Sequence, residues 1–203
     1  MLQLWNLLPS VLILKSFLLA SAGWDIELFV TTQVSDALGG EAFGTQPVVT
    51  VYDRRGNKQY SIQATVVVDL YDSPTGYEDL HDKEGSNGED REGEDFERGG
   101  MYSAPVIGGE ARFSGLLINA AGDGYTLRFL LKDEHDITLG NVIGDPFPVL
   151  VGEAHSIGLV TNPESAFGGT RWGTQPIVAV QDKGFNTVTD INTGEVSMVY
   201  LRP

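Results

Sequence analysis

Gly39-Gly40-Glu41-Ala42-Phe43-Gly44-Thr45-Gln46-Pro47-Val48-Val49-Thr50-Val51-Tyr52-Asp53 returns, with every position displaced by 129, as Gly168-Gly169-Thr170-Arg171-Trp172-Gly173-Thr174-Gln175-Pro176-Ile177-Val178-Ala179-Val180-Gln181-Asp182. No gap interrupts the match. Gly-Thr-Gln-Pro is identical in both copies, an aromatic precedes it in both, and an Asn follows the Asp at Asn57 and Asn186. Upstream, Thr32-Gln33-Val34 stands at the same offset from Thr161-Asn162-Pro163. A period this long is a whole domain, not a solenoid unit. The sequence therefore predicts one complete module over residues 23–152 and a second copy, incomplete, over 153–203. Half a sandwich cannot close its core, so the second copy is expected to be marginal by itself.

Period-2 patterns bounded by Gly, Pro, Asn and Asp recur along the chain, and no helical stripe follows residue 23. Seven strands are predicted: Ile26 to Thr32, Pro47 to Tyr52, Ile62 to Leu70, Met101 to Pro105, Ala111 to Asn119, Tyr125 to Lys132 and Phe147 to Val151. Pro47 and Pro176 open the strands that follow them, where a missing amide costs no ladder bond. Asp53-Arg54-Arg55-Gly56-Asn57 supplies residues tolerant of left-handed backbone for a tight connection. Tyr125 enters its strand from the Gly-rich turn Ala120 to Gly124, as the tyrosine corner of a sandwich does; the alternative is a core Tyr without the corner bond. Seven short strands in one module predict an all-β, Greek-key β-sandwich.

These residues carry a resemblance. Ala42 to Val51 with Asp53 and Asn57, and Gly109-Glu110-Ala111-Arg112-Phe113-Ser114-Gly115-Leu116 leading to Gly124-Tyr125-Thr126-Leu127, resemble the bacterial-type immunoglobulin-like repeats found in tandem on large surface proteins. The resemblance covers most of the first module and the front of the second. It implies an immunoglobulin-like sandwich, tandem arrangement and a role in adhesion, spacing or ligand display, with no catalytic residues to transfer.

The chain departs from that pattern at residues 71–100, a long acidic insertion with few apolar residues, expected to project as a mobile loop because it buries too little to offset its ordering entropy. Closely spaced carboxylates with Gly and Asn suit calcium. Asp82 to Gly88 lacks the EF-hand register, however, and Lys83, Arg91 and Arg98 compete for the carboxylates. The insertion is read as a solvated acidic loop, with a calcium-stabilised module and a partner-facing loop as alternatives; calcium stabilisation predicts that a chelator lowers the melting temperature.

Met1 to Ala22 combines one Lys, an apolar run and a terminal Ala20-Ser21-Ala22, which predicts a cleaved signal peptide with Gly23 or a neighbour as mature start. Asn6, Pro9, Ser10 and Lys15 interrupt the run short of a bilayer span, and no later stretch is long enough, so any anchor would lie beyond Pro203. The chain has no Cys, which excludes disulfides, thiolate zinc sites and cysteine nucleophiles. Its 28 acidic against 13 basic side chains, net −15, exclude the clustered basic surface that nucleic acid requires. No Asn-x-Ser/Thr sequon is present.

Only His81, His135 and His155 could serve as catalytic imidazoles. His135, between Glu134 and Asp136, is the best placed of them, but Asp133 to Gly140 reads as a solvated hairpin. Gly-x-Ser-x-Gly, His-Glu-x-x-His and Walker patterns are absent. Trp24 and Trp172 stand near module starts; Trp172 aligns with Phe43, which points to a core or module-interface aromatic before a carbohydrate platform. The expected protein is thus secreted or cell-surface, non-enzymatic, without catalytic, cofactor or metal residues, meeting an extracellular protein or glycan and neighbouring repeats. An accessory domain of a secreted enzyme, with the catalytic part beyond Pro203, is the rival from another class.

Overall fold

The computed structural model describes residues 26–76, 78–82, 102–165 and 167–190. Over that range it is all-β, with twelve strands and no helix, so no helix there is long and apolar enough to cross a membrane. Residues 1–22, read from the sequence as a signal peptide, and Trp24 lie outside the described residues.

Ten strands precede residue 150: β1 (Ile26–Thr32), β2 (Val48–Asp53), β3 (Thr65–Asp72), β4 (Leu80–Asp82), β5 (Tyr102–Ile107), β6 (Glu110–Arg112), β7 (Leu116–Ile118), β8 (Gly122–Lys132), β9 (Thr138–Ile143) and β10 (Phe147–Val149). The predicted strand at 111–119 is divided, with Gly115 at φ +76° in the break between β6 and β7, a backbone angle that L side chains rarely adopt. β4 and β9 have no counterpart in the seven-strand reading.

Eight strands form one antiparallel sheet in the order β1-β2-β6-β5-β3-β8-β10, with β9 also on β8. β5 joins its two halves: Tyr102–Pro105 pairs with β3, and Val106–Ile107 pairs with β6. The sheet nearly closes, because β9 returns beside β1; a Cβ on Gly140 would stand 3.1 Å from Leu28 Cδ1. β4 and β7 form a separate pair. One nearly closed sheet around a single core is consistent with a β-sandwich.

The core follows from strict alternation. Tyr125, Leu127, Phe129 and Leu131 of β8 face inward, and Val66, Val68 and Leu70 of neighbouring β3 do the same. Leu28, Val49 and Val51 face them from β1 and β2. Each such side chain, fully buried, contributes about 1.5–3 kcal/mol of transfer free energy. On the outer face Arg128 donates to the carboxylate of Asp69, its direct cross-strand partner in register.

The Gly-Thr-Gln-Pro motif is structural. Gln46 Nε2 donates to the carbonyls of Phe43 and Leu116, at 3.1 Å each, while its Oε1 accepts from Leu116 N at 3.1 Å. The motif thereby ties the entry of β2 to β7. Pro47, lacking an amide, uses its carbonyl to accept from Phe113 N at 3.2 Å.

β11 (Ser156–Thr161) and β12 (Ile177–Gln181) form a separate antiparallel pair. Its register is that of β1 and β2 displaced by 129. Ser156 faces Gln181 as Glu27 faces Tyr52, Leu159 faces Val178 as Val30 faces Val49, and the irregularity before Thr161 matches the one before Thr32. Local backbone follows suit: Asp36 and Ser165 have φ of 54° and 58°, and Gly40 and Gly169 have 72° and 76°. The second copy of the motif repeats its short-range bonding too, with Gln175 Nε2 donating to Trp172 O at 2.9 Å.

Candidate functional site

Asp53 illustrates what the sequence Asp-x-x-x-Asn builds. Its Oδ1 accepts from Arg55 N and Asn57 N at 2.9 Å, and its amide donates to Asn57 O at 2.9 Å. Asn57 Nδ2 donates to both carboxylate oxygens. The Asn57 bonds, chiefly from its side chain, hold the Asp53 carboxyl below the usual carboxylate range. Asp182 builds the same turn: Asn186 N and Nδ2 donate to Oδ1 at 2.8 and 3.1 Å, and Asp182 N donates to Asn186 O at 3.0 Å.

The two turns differ in what they touch. Residues 54–57 are exposed, whereas the turn Asp182 to Asn186 is seated on one end of the large sheet. Gly152 N donates to Asp182 Oδ2 at 2.8 Å, leaving Asp182 only 1% exposed. Asn186 Nδ2 donates to Asn119 O at 2.7 Å, and Asn186 Oδ1 accepts from Ala121 N at 2.8 Å. Lys183 Nζ lies 2.7 Å from Glu41 Oε1. The backbones meet directly: a Cβ on Gly40 would stand 2.3 Å from Gly184 N, and one on Gly184 would stand 2.1 Å from Asn119 O. Among the described residues no buried side-chain oxygen or nitrogen at this contact lacks a partner, and glycine is required on both sides of it.

A crevice of ≈ 380 Å³ runs beside the contact, lined by Leu38, Val151, Ala154 and Val188 with Glu153 and Asp190. Apolar walls with two carboxylates suit a small apolar or basic group of a partner. Its only ionisable lining side chains among the described residues are Glu153 and Asp190.

Other residues singled out in the sequence have structural surroundings. Tyr125 is fully buried and its hydroxyl donates to Ala120 O at 2.8 Å, so the corner bond forms. His135 sits exposed in the turn between β8 and β9, where Asp133 Oδ1 accepts from the amides of His135 and Ile137 at 2.9 Å each. Those two backbone bonds, Ile137 first, lower the Asp133 pKa against the opposing effect of desolvation. Trp172 is half-buried, while Phe43 is buried against Phe147 with ring centroids 5.5 Å apart. Among the described residues no group of three or more His, Asp or Glu side chains is arranged to hold a metal ion.

Part of the stretch 71–100, expected as a loop, is ordered. β3 runs on to Asp72, and Glu78 accepts from Thr75 N and Oγ1 to close a short turn. Leu80 is then fully buried in β4, opposite Ile118 of β7. Residues 83–101, with most of the carboxylates considered for calcium, lie outside the described residues. Comparison with known proteins found no matching family model, no similar curated protein and no similar solved structure.

Proposed function

We propose that this chain is a secreted or cell-surface, non-enzymatic protein of tandem immunoglobulin-like β-sandwich units, the second beginning near residue 153, which serves in adhesion, ligand display or spacing. The observation that carries the reading is the seating of the second copy's turn on the first. Asp182, Asn186 and Gly184 fasten to Gly152, Asn119, Ala121 and Gly40 through bonds and close backbone contact. A protein that only tethered its domains would join them by a solvated linker; a fitted junction fixes the direction in which the next unit extends. The tyrosine corner bond of Tyr125 supports the immunoglobulin-like assignment. The partners of such an array are an extracellular protein or glycan at its loops, and its neighbouring repeats along its length.

The test is expression of the whole chain in a secreting host, followed by N-terminal sequencing of released protein. Release with Gly23 or a neighbour as first residue is the expected outcome. Retention inside the cell with Met1 or Leu2 still at the terminus overturns the extracellular assignment.

A further inference from the structure

Each copy has two ends that could meet a neighbour. Ile26 pairs with Asp53 and Thr32 with Val48, so the turn after Asp53 and the segment around Gly39-Gly40 lie at opposite ends of the β1–β2 pair. The Gly39-Gly40 end receives the turn of the second copy. The turn at the other end corresponds, residue by residue at the 129 offset, to that seated turn: Asp53 to Asp182, Arg54 to Lys183, Arg55 to Gly184, Gly56 to Phe185, Asn57 to Asn186. The cap chemistry is conserved between them, since both Asp residues hold their Asn in the same way. The third position is not. At Gly184 even a methyl group would stand 2.1 Å from Asn119 O and 2.8 Å from Gly39 C, and the first copy places a full arginine there.

We propose that docking between copies requires glycine at the third position of this turn, and that the first copy, with Arg55 at that position, can receive a neighbour but cannot present itself to one. The first copy is then the free tip of a polar, head-to-tail array, and the array extends only from its residue-152 side. This rests on the tandem reading. Gly168 and Gly169 repeat the receiving pair Gly39-Gly40 in the second copy, with Gly169 at φ +76° beside +72° for Gly40, and among the described residues beyond their chain neighbours no atom stands within 4 Å of a Cβ built on either. They are the matching half-site for the turn of a further copy with glycine at its third position.

The experiment transplants the first turn's residue into the second, in the intact chain, and reads amide hydrogen exchange at Ala121 and Gly152, whose N–H groups donate to Asn186 and Asp182. In the unchanged protein and in Lys183→Arg, the equivalent of Arg54, both amides are expected to be protected. In Gly184→Arg they should exchange about tenfold faster or more, the signature of local undocking. Gly184→Ala should show the same direction and so separate bulk from charge. Amides of Tyr125 to Leu131 report that the first copy stays folded in every variant. If Gly184→Arg keeps its protection, arginine is tolerated in a docked turn and the closed-tip proposal is overturned while the tandem reading stands. If Ala121 and Gly152 are unprotected in the unchanged protein, the junction itself, and with it the tandem reading, fails.

Discussion

Replacing Tyr125 with Phe removes one oxygen from a fully buried site and leaves the ring in place between Phe147, 6.1 Å away between centroids, and the core of β3 and β8. The lost interaction is the 2.8 Å bond to Ala120 O. A neutral hydrogen bond of this kind contributes about 1 kcal/mol net, which for a chain of this size is a drop in Tm of about 2–4 °C at neutral pH. The pH dependence is more diagnostic. Burial, with the Glu78 carboxylate second, pushes the Tyr125 hydroxyl up to about 12. The neutral phenol is therefore favoured in the folded state, and its contribution is fully present below about pH 10 and lost as pH rises from there through the folded value. Urea unfolding of both proteins from pH 7 to pH 11 isolates this residue, because every other tyrosine and lysine cancels in the difference. The stability gap should be constant to about pH 9.5 and then close. A gap that stays constant to pH 11 would refute the account of Tyr125 as a buried, hydrogen-bonded corner.

Leu80→Ala is expected to cost about 2–5 kcal/mol, read as a lower urea midpoint at unchanged slope; an effect within about 0.5 kcal/mol, as for a surface site, would place Leu80 outside the core. Asp53→Asn and Asp133→Asn together should lower stability at pH 7 and flatten the acid limb of the pH–stability curve. Both folded carboxyls are depressed, Asp53 chiefly by the Asn57 side chain and Asp133 chiefly by the Ile137 amide, so their contribution is present above the unfolded value near pH 4 and lost as pH falls through the folded one. An acid limb of unchanged slope in the double variant would refute that assignment.

The elements legible in the sequence were those whose signal is local. β1, β2 and β8 read as strands from alternation alone, and Pro47, Asp53 and Tyr125 announced their roles through backbone chemistry within five residues. β4 was hidden because Leu80 is its one apolar residue, set among Glu78, Asp79, His81 and Asp82; only β7, more than thirty residues on, makes it a strand. β9 was hidden by Gly140 and Asn141, both poor strand formers, whose place is fixed by pairing with β8. The seated turn was legible as a turn and illegible as a contact. What makes Gly184 necessary is the carbonyl of Asn119, a demand that no window around residue 184 contains.

The β11–β12 hairpin has a bearing on how the protein behaves in bulk. Ile157 and Val178 are 61% and 41% exposed, whereas their counterparts Leu28 and Val49 are buried; Leu159 and Ile177 are 51% and 57% exposed against half-buried Val30 and Val48. β2 has β6 on its far side; β12 has no second partner strand among the described residues. A bare, apolar sheet edge is a template on which other chains add strands. The net charge of −15 opposes that by mutual repulsion. Salt, which shortens the range of that repulsion, is therefore expected to favour strand addition at this edge, read as light scattering that rises with ionic strength.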